Sequence, residues 1–273
     1  MEEFILGKGA KKQEIETEVR VDAGEAVQDL KRSMLEGTKS HCYQKQRPQA
    51  CMTLADFYRE RKQDLAAAAR TITDCCERLK NASCCWESGI LKANGFEKTK
   101  IAHNFPEAVN DFKTACLAEN AETPVDRHAT AKSCFALSEI LRRDLSLASE
   151  GQKKMTPVVK SLLDEMNVKS LVIRGCKLGS WEACNSYAIM SFDGLFGVEK
   201  DVQFGLNLAE KSCLHGNEIK ACVNLEKIFS EGLLGVEKDK KREMKLESYQ
   251  RKIEELSDDF ELDLERVDDL DRS

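Results

Sequence analysis

Most of the twelve cysteines in this chain recur in pairs separated by eight or nine positions, and this spacing constrains the fold more than any other feature. On one continuous helix such a pair would lie roughly 12 to 13.5 Å apart, beyond the ~7 Å limit for a disulfide. Turn-forming residues separate the two cysteines, at Arg47-Pro48, Lys80-Asn81, Gly179-Ser180 and Gly216-Asn217. The chain must therefore reverse there, and each pair predicts a disulfide that staples two consecutive helices.

The residue before the second cysteine of each group assigns the pairs. It is small in four groups, as Ala50, Ser133, Ala183 and Ala221. Cys84 occupies this small-residue position before Cys85. Cys75 occupies the position before the first cysteine, which is Ala115, Gly175 and Ser212 in three other groups. The register predicts five disulfides, namely Cys42–Cys51, Cys76–Cys85, Cys116–Cys134, Cys176–Cys184 and Cys213–Cys222.

Cys75 and Cys84 are left over by this assignment. They form either a sixth bridge or a pair of small buried thiols, and a redox-active role is a third interpretation. No Cys-x-x-Cys motif occurs, so the usual signature of thiol oxidoreductases is missing. The four histidines, His41, His103, His128 and His215, do not stand at the spacing of zinc ligands, so we expect no metal site.

An eight-residue segment occurs almost twice. GLFGVEKD at 194–201 is followed 38 positions later by GLLGVEKD at 232–239, and Cys184 and Cys222 keep the same offset. Periods of this size are typical of stacked helical repeats. We interpret the segment as the turn between the two helices of a repeat, in which glycine permits the turn and the final aspartate caps the next helix.

Helix start and stop residues then predict a series of A and B helices. The A helices are expected near 49–61, 82–94, 128–142, 181–192 and 218–230. The B helices are expected near 64–79, 106–119, 157–175, 201–214 and 239–256.

The predicted organisation is a loosely ordered segment 1–22, a repeat domain over 23–256 and an acidic tail over 257–273. The domain starts with a capping helix near 25–41. Its repeats are predicted near 42–80, 81–120, 121–178, 179–216 and 217–256, with long loops at 120–130 and 144–156.

Charge is concentrated at the C-terminal end. From 254 to 273 there are ten acidic and two basic residues, about −8 in a chain whose net charge is −6. Nucleic-acid binding needs a concentrated basic surface, so we do not expect it. The tail alternates acids with apolar residues, and it is either a docking peptide or a solvated segment.

No apolar stretch approaches the length of a membrane span, and the first twenty residues lack the apolar core of a secretory signal. We therefore expect the mature chain to begin near Met1. Paired cysteines nevertheless require an oxidising compartment.

The cysteine register and the G-x-x-G-V-x-K-D turn resemble the cysteine-rich Sel1-like repeat family, whose repeats are related to the tetratricopeptide repeat. This resemblance covers about residues 25–250 and implies a right-handed α-solenoid of five disulfide-stapled hairpins. Within the family, the layout of HCYQ…AC at 41–51 and of the last two repeats is similar to that of metazoan mitochondrial assembly factors of cytochrome c oxidase.

That resemblance implies a non-catalytic scaffold in the mitochondrial intermembrane space that helps to build respiratory-chain complexes, chiefly cytochrome c oxidase (complex IV). The expected partners are client proteins and the oxidative import machinery of that compartment.

Two alternatives stay open. Some secreted bacterial relatives are associated with binding or hydrolysing β-lactams, although no Ser-x-x-Lys or G-x-S-x-G motif is present here. Haem or thiol-redox chemistry is the other alternative. Because Cys-x-x-Cys-His is absent, haem would bind non-covalently, through His41, His215 or a free thiol. We expect no cofactor.

Overall fold

The computed structural model describes residues 32–119, 121, 123–151, 154–253 and 255. Every regular element in these ranges is a helix. The helices are α1 (32–43), α2 (Pro48–Asp56), α3 (Leu65–Leu79), α4 (Ala82–Asn94), α5 (Phe105–Leu117), α6 (Pro124–Ser149), α7 (Pro157–Glu165), α8 (Val168–Lys177), α9 (Trp181–Asp193), α10 (Val202–Gly216), α11 (Ile219–Glu231) and α12 (240–253). The predicted segments 1–22 and 257–273 lie outside the described residues.

The helices form two compact units. Of the described residues, one unit contains 32–79 and Gly95–Ala102, and here α2 packs on α3. The other contains Lys80–Asn94 and the described residues from His103 onward. In it α4 packs on α5, α5 on α6, α6 on α8, α8 on α9, α9 on α10 and α10 on α11. Packing of each hairpin on its neighbour in chain order is typical of helical repeats. The predicted fold class, an all-α solenoid of disulfide-stapled helix hairpins, is confirmed.

Two apolar clusters form the core of the second unit. The first gathers side chains of α5, α6, α8 and α9 around Phe112, Leu137, Leu171 and Met190, which are all at most 4% exposed. The second surrounds Leu225 of α11 and includes Leu246, the buried residue of α12. Each helix buries one stripe of its surface against its neighbours, so a single repeat could not bury its apolar face alone.

The repeated turn has the predicted geometry in both copies. Gly194 and Gly232 end α9 and α11 in the left-handed region, both with φ of 73°. Asp201 accepts a hydrogen bond from the backbone N–H of Phe204 at 2.9 Å and thereby caps α10. Asp239 accepts in the same way from the N–H of Arg242 at 3.0 Å. The two turns therefore share the same glycine end and the same aspartate cap, before α10 and α12 respectively.

One predicted B helix is wrong. The segment 157–175 does not form a single helix, because α7 ends at Glu165 and α8 begins at Val168. The side chain of Asn167 accepts a hydrogen bond from the N–H of Ser170 at 2.8 Å, which caps α8 and stops α7 from continuing. Hence α8 alone pairs with α9, and α7 is an additional helix against α6.

The A helix predicted at 128–142 is longer than expected. Helix α6 runs over Pro124–Ser149, because Pro124 fits its first turn and Thr123 caps it by accepting from the N–H of Asp126 at 3.0 Å. Residues 124–130 of the predicted loop 120–130 and residues 144–149 of the predicted loop 144–156 are therefore helical. The capping helix predicted near 25–41 is helical over 32–43 in the described part.

Candidate interaction surface

Disulfides join the end of one helix to the start of the next. The structure contains Cys42–Cys51 between α1 and α2, Cys116–Cys134 between α5 and α6, Cys176–Cys184 between α8 and α9, and Cys213–Cys222 between α10 and α11. Their Cα atoms lie 4.6 to 4.9 Å apart, within the usual range for disulfides. Each bridge thus fixes a hairpin of two consecutive helices.

The remaining four cysteines, Cys75, Cys76, Cys84 and Cys85, are disulfide-bonded too. No cysteine of the chain is free, since all twelve lie within the described ranges. The interpretation of Cys75 and Cys84 as buried thiols therefore disagrees with the structure, as does a haem ligand from a free thiol. Which of the four pairs with which stays a prediction, with Cys76–Cys85 and Cys75–Cys84 as the expected bridges.

The histidines lie on surfaces. His41 contacts Lys45 at 3.1 Å between Nε2 and Nζ, and His103 and His128 are exposed. His215 lines a depression of about 380 Å³ with Asn207, Glu210, Lys211 and Leu214, all on α10. Among the residues that the structure describes, no three His, Cys, Asp or Glu side chains come together as a metal site.

A buried carboxylate ties α6 to α4. Asp126 is 4% exposed, and its Oδ1 accepts hydrogen bonds from Ser83 at 2.6 Å and from Asn81 at 2.9 Å. Its Oδ2 accepts from Thr123 at 2.8 Å. Burial raises the pKa of the Asp126 carboxyl, but the hydrogen bonds from Ser83, Thr123 and Asn81 outweigh burial and hold the pKa below its ordinary value. This carboxylate therefore stabilises the packing of two neighbouring hairpins in its charged form.

A buried ion pair does the same between α4 and α5. Lys92 and Asp111 are 7% and 4% exposed, and their Nζ and Oδ2 atoms lie 2.9 Å apart. Ser88 also donates to Asp111 Oδ2, at 2.7 Å. Burial lowers the pKa of Lys92, but the hydrogen bonds and attraction from Asp111 and Glu107 outweigh burial and raise it. Each charged group of this cluster has a partner of opposite charge, so the cluster serves the packing of α4 on α5.

An open groove lies between α1 and α2 in the first unit. One wall is formed by Met34, Leu35 and Thr38 of α1. The opposite wall is a stripe of residues four positions apart, Thr53, Phe57 and Arg61. This stripe runs from α2 into a π-helical turn over Phe57–Arg61. We call this groove, lined by these residues together with Arg32 and Lys62, the α1–α2 groove.

The α1–α2 groove is large and positively charged. Its volume is about 870 Å³, which is within the range of ligand-binding clefts. Three basic side chains line it, Arg32, Arg61 and Lys62, and among its described lining residues none is acidic. A groove lined by apolar and basic side chains can bind a surface that combines apolar side chains with carboxylates.

This groove is not predicted from the sequence. The only local sign is the basic run Arg59, Arg61 and Lys62 directly after Phe57, at the end of a predicted A helix. The sequence of α2 does not indicate which helix lies opposite it, and the groove forms only with α1 as its second wall.

No helix in the described part of the chain is long and apolar enough to cross a membrane.

Comparison with known proteins yields structural similarities only. No protein-family profile matches the chain, and no curated protein matches it. The chain is similar to the crystal structure of a Sel1 repeat protein from Oxalobacter formigenes, with 16% identity, a TM-score of 0.41, and 76% of this chain and 88% of that chain covered.

It is also similar to c5321, a protective antigen present in uropathogenic Escherichia coli strains displaying an SLR fold. That match has 18% identity and a TM-score of 0.39, and it covers 80% of this chain but only 48% of c5321. Because both TM-scores lie below 0.5, neither similarity supports an assignment of function. The architecture described above rests on the stapled hairpins themselves.

Proposed function

We propose that this protein is a non-catalytic scaffold of the Sel1-like repeat family that binds other proteins. The α1–α2 groove carries this proposal, because it is an open surface with exposed apolar side chains on a helical repeat framework. Repeat arrays of this kind typically bind macromolecules along extended surfaces. Exposed Met34 and half-buried Leu35 and Phe57 give the groove the apolar contact area that protein partners use.

We further propose that the scaffold acts in the mitochondrial intermembrane space, where it supports the assembly of respiratory-chain complexes, chiefly cytochrome c oxidase. Two observations support this location and role. Twelve bonded cysteines require an oxidising compartment, and the cysteine register resembles that of mitochondrial assembly factors of cytochrome c oxidase.

Crosslinking in mitochondria isolated from the cells of origin tests the proposed role. We expect the protein to be captured with subunits or assembly proteins of cytochrome c oxidase, and cells that lack it to lose that enzyme's activity. Intact oxidase activity in such cells, with no oxidase-related protein among the crosslinked products, contradicts the proposal.

The redox state of the native protein tests the compartment separately. Intact mass after alkylation of the unfolded protein, with and without reduction, counts the protected cysteines. We expect all twelve to be protected in material isolated from its own cells. Twelve free thiols would place the protein in a reducing compartment.

A further inference from the structure

We propose that the α1–α2 groove binds an acidic amphipathic helix of a partner protein. This inference rests on the proposed scaffold function and names the chemistry of the partner. It is argued from the shape of the groove, from its exposed apolar side chains and from its charge.

The two walls of the groove are suited to a helix. Along α1 the lining residues Met34, Leu35 and Thr38 lie on one face, since they are three and four positions apart. Along the second wall, Thr53, Phe57 and Arg61 follow one another at intervals of four positions, from α2 into the π-helical turn. Two such stripes form an elongated trough, which is the shape that accepts the apolar face of an amphipathic helix.

The π-helical turn helps to build the second wall. Such turns are rare, and they are frequently found at functional sites. Here the turn covers Phe57–Arg61, so both Phe57 and Arg61 belong to it. The backbone N–H of Asp64 donates to the carbonyl of Tyr58 at 2.9 Å and closes the turn. A regular helix with the same sequence would aim these two side chains differently.

The groove exposes apolar atoms that a bound partner would cover. Met34 is 66% exposed, the largest exposed fraction among the large hydrophobic side chains that the structure describes. Phe57 lies on the facing wall, and its ring is only partly covered. Binding an apolar face here removes both side chains from water, which contributes roughly 25 cal/mol for each Å² buried.

Charge complementarity determines the class of partner. The whole chain carries a net charge of −6, but the three charged residues that line the groove are all basic. Carboxylates flanking the apolar face of a partner would meet Arg61 and Lys62, and basic partners would be repelled.

The test uses the full oxidised chain and two synthetic helical peptides. One has leucine at i, i+3, i+4 and i+7 and glutamate elsewhere, and the other has lysine in place of each glutamate. We expect the acidic peptide to bind the wild-type protein and the basic peptide not to bind. Arg61→Glu and Met34→Asp should each weaken binding of the acidic peptide at least tenfold. Arg70→Glu, a charge reversal on exposed α3 surface, should leave it unchanged.

Circular dichroism of each variant confirms that it is folded, and this is expected because Met34 and Arg61 are exposed. Equal affinity of the acidic peptide for wild type, Arg61→Glu and Met34→Asp overturns the inference. If the crosslinked client proteins in mitochondria are nevertheless retained, the scaffold function stands and only the assignment of the groove is lost.

Two other occupants are distinguished in the same experiment. Binding of the wild-type protein to anionic phosphatidylserine vesicles, lost in Arg61→Glu and without peptide binding, identifies a membrane surface and overturns the inference. In a further variant, Asp258, Asp259, Glu261 and Asp263 are replaced by their amides. Peptide binding that occurs only in this variant identifies the chain's own tail as the occupant, which also overturns the proposed external partner.

Discussion

The ring of Phe112 on α5 occupies the space that a side chain at Gly89 on α4 would need. A β-carbon at residue 89 would lie 2.5 Å from Phe112 Cε1. In the pair of α9 and α10 the ring lies on the first helix and the glycine on the second. The ring of Phe192 covers Gly205, and a β-carbon at residue 205 would lie 2.6 Å from Phe192 Cε1. In both hairpins the helices approach closely because each ring faces a glycine.

Gly89→Ala should therefore destabilise the protein by about 1–3 kcal/mol, because the added methyl group overpacks the contact with Phe112. Phe112→Ala alone should cost about 3–5 kcal/mol. The double variant should cost less than the sum by about 0.5–3 kcal/mol, since the smaller side chain leaves room for the methyl group. Urea unfolding of the four proteins measures this coupling, and strict additivity would show that the two residues do not compete for space.

Asp126→Asn should lower stability at neutral pH, because the amide loses the charged hydrogen bonds that Ser83 and Thr123 donate. The folded pKa of Asp126 lies below the unfolded value of 3.8, so its contribution is present above that pH and is lost as pH falls through the folded pKa. The stability difference between wild type and variant should hence be constant from pH 7 to about pH 5 and shrink below pH 4. A difference that persists unchanged to pH 2 would contradict this assignment.

Two disulfides that close loops of different length should differ in their contribution to the free energy of unfolding. Cys176–Cys184 closes a separation of 8 residues and Cys116–Cys134 one of 18. In the chain-entropy model these correspond to about 2.5 and about 3.2 kcal/mol, so replacing both cysteines of the longer loop by alanine should cost about 0.7 kcal/mol more. Denaturation of the two double variants tests this order, and an equal or reversed cost would show that the entropic account fails here.

Gly197→Ala should destabilise by about 1–2 kcal/mol, because φ of 77° places alanine in the left-handed region. Nothing lies within 4 Å of the added β-carbon, so this cost comes from the backbone alone. Gly37→Ala is the matched control. It has the same open surroundings on helix α1, and it should stabilise by about 0.5–1 kcal/mol. Thermal melts of both variants should shift in opposite directions.

Replacing each of two fully buried serines by alanine should affect the stability of the protein differently. Ser133 Oγ makes no hydrogen bond within the described residues, so Ser133→Ala should be neutral or stabilising by about 1 kcal/mol. Ser88 Oγ donates to the carboxylate of Asp111, so Ser88→Ala should cost about 1.5–3 kcal/mol. Destabilisation by Ser133→Ala of the same size would indicate a partner for its hydroxyl.

Much of the hairpin framework could be predicted because its determinants are local. The cysteine spacing placed reversals between helix ends, and the repeated glycines and the aspartates Asp201 and Asp239 marked the turns. These features act within a few residues of the chain, where backbone conformation and capping decide the outcome.

The sequence pattern does not predict helix boundaries at positions where neighbouring residues favour different structures. The break between α7 and α8 has neither glycine nor proline, and it depends on Asn167 capping α8. The start of α6 at Pro124 was assigned to a loop, although Thr123 and Asp126 form a cap that would have indicated a helix.

The α1–α2 groove could not be predicted at all. It depends on which face of α1 stands opposite Phe57 and Arg61, and on a π-helical turn that no residue pattern specifies. The same holds for Lys92 and Asp111, which are 19 positions apart and meet only after α4 and α5 have packed.

The GVEKD turns at 197–201 and 235–239 lie outside the loops closed by Cys176–Cys184 and Cys213–Cys222. Cleavage after exposed Lys177 would fall inside the Cys176–Cys184 loop and leave both pieces bound through sulfur. Cleavage after exposed Lys200 would leave two pieces held together only by noncovalent packing, chiefly of α9 on α10. In covalent terms the oxidised chain is a series of small disulfide-closed loops joined by single polypeptide segments. A single proteolytic cut separates it into two covalently unlinked pieces only when the cut falls in one of these segments.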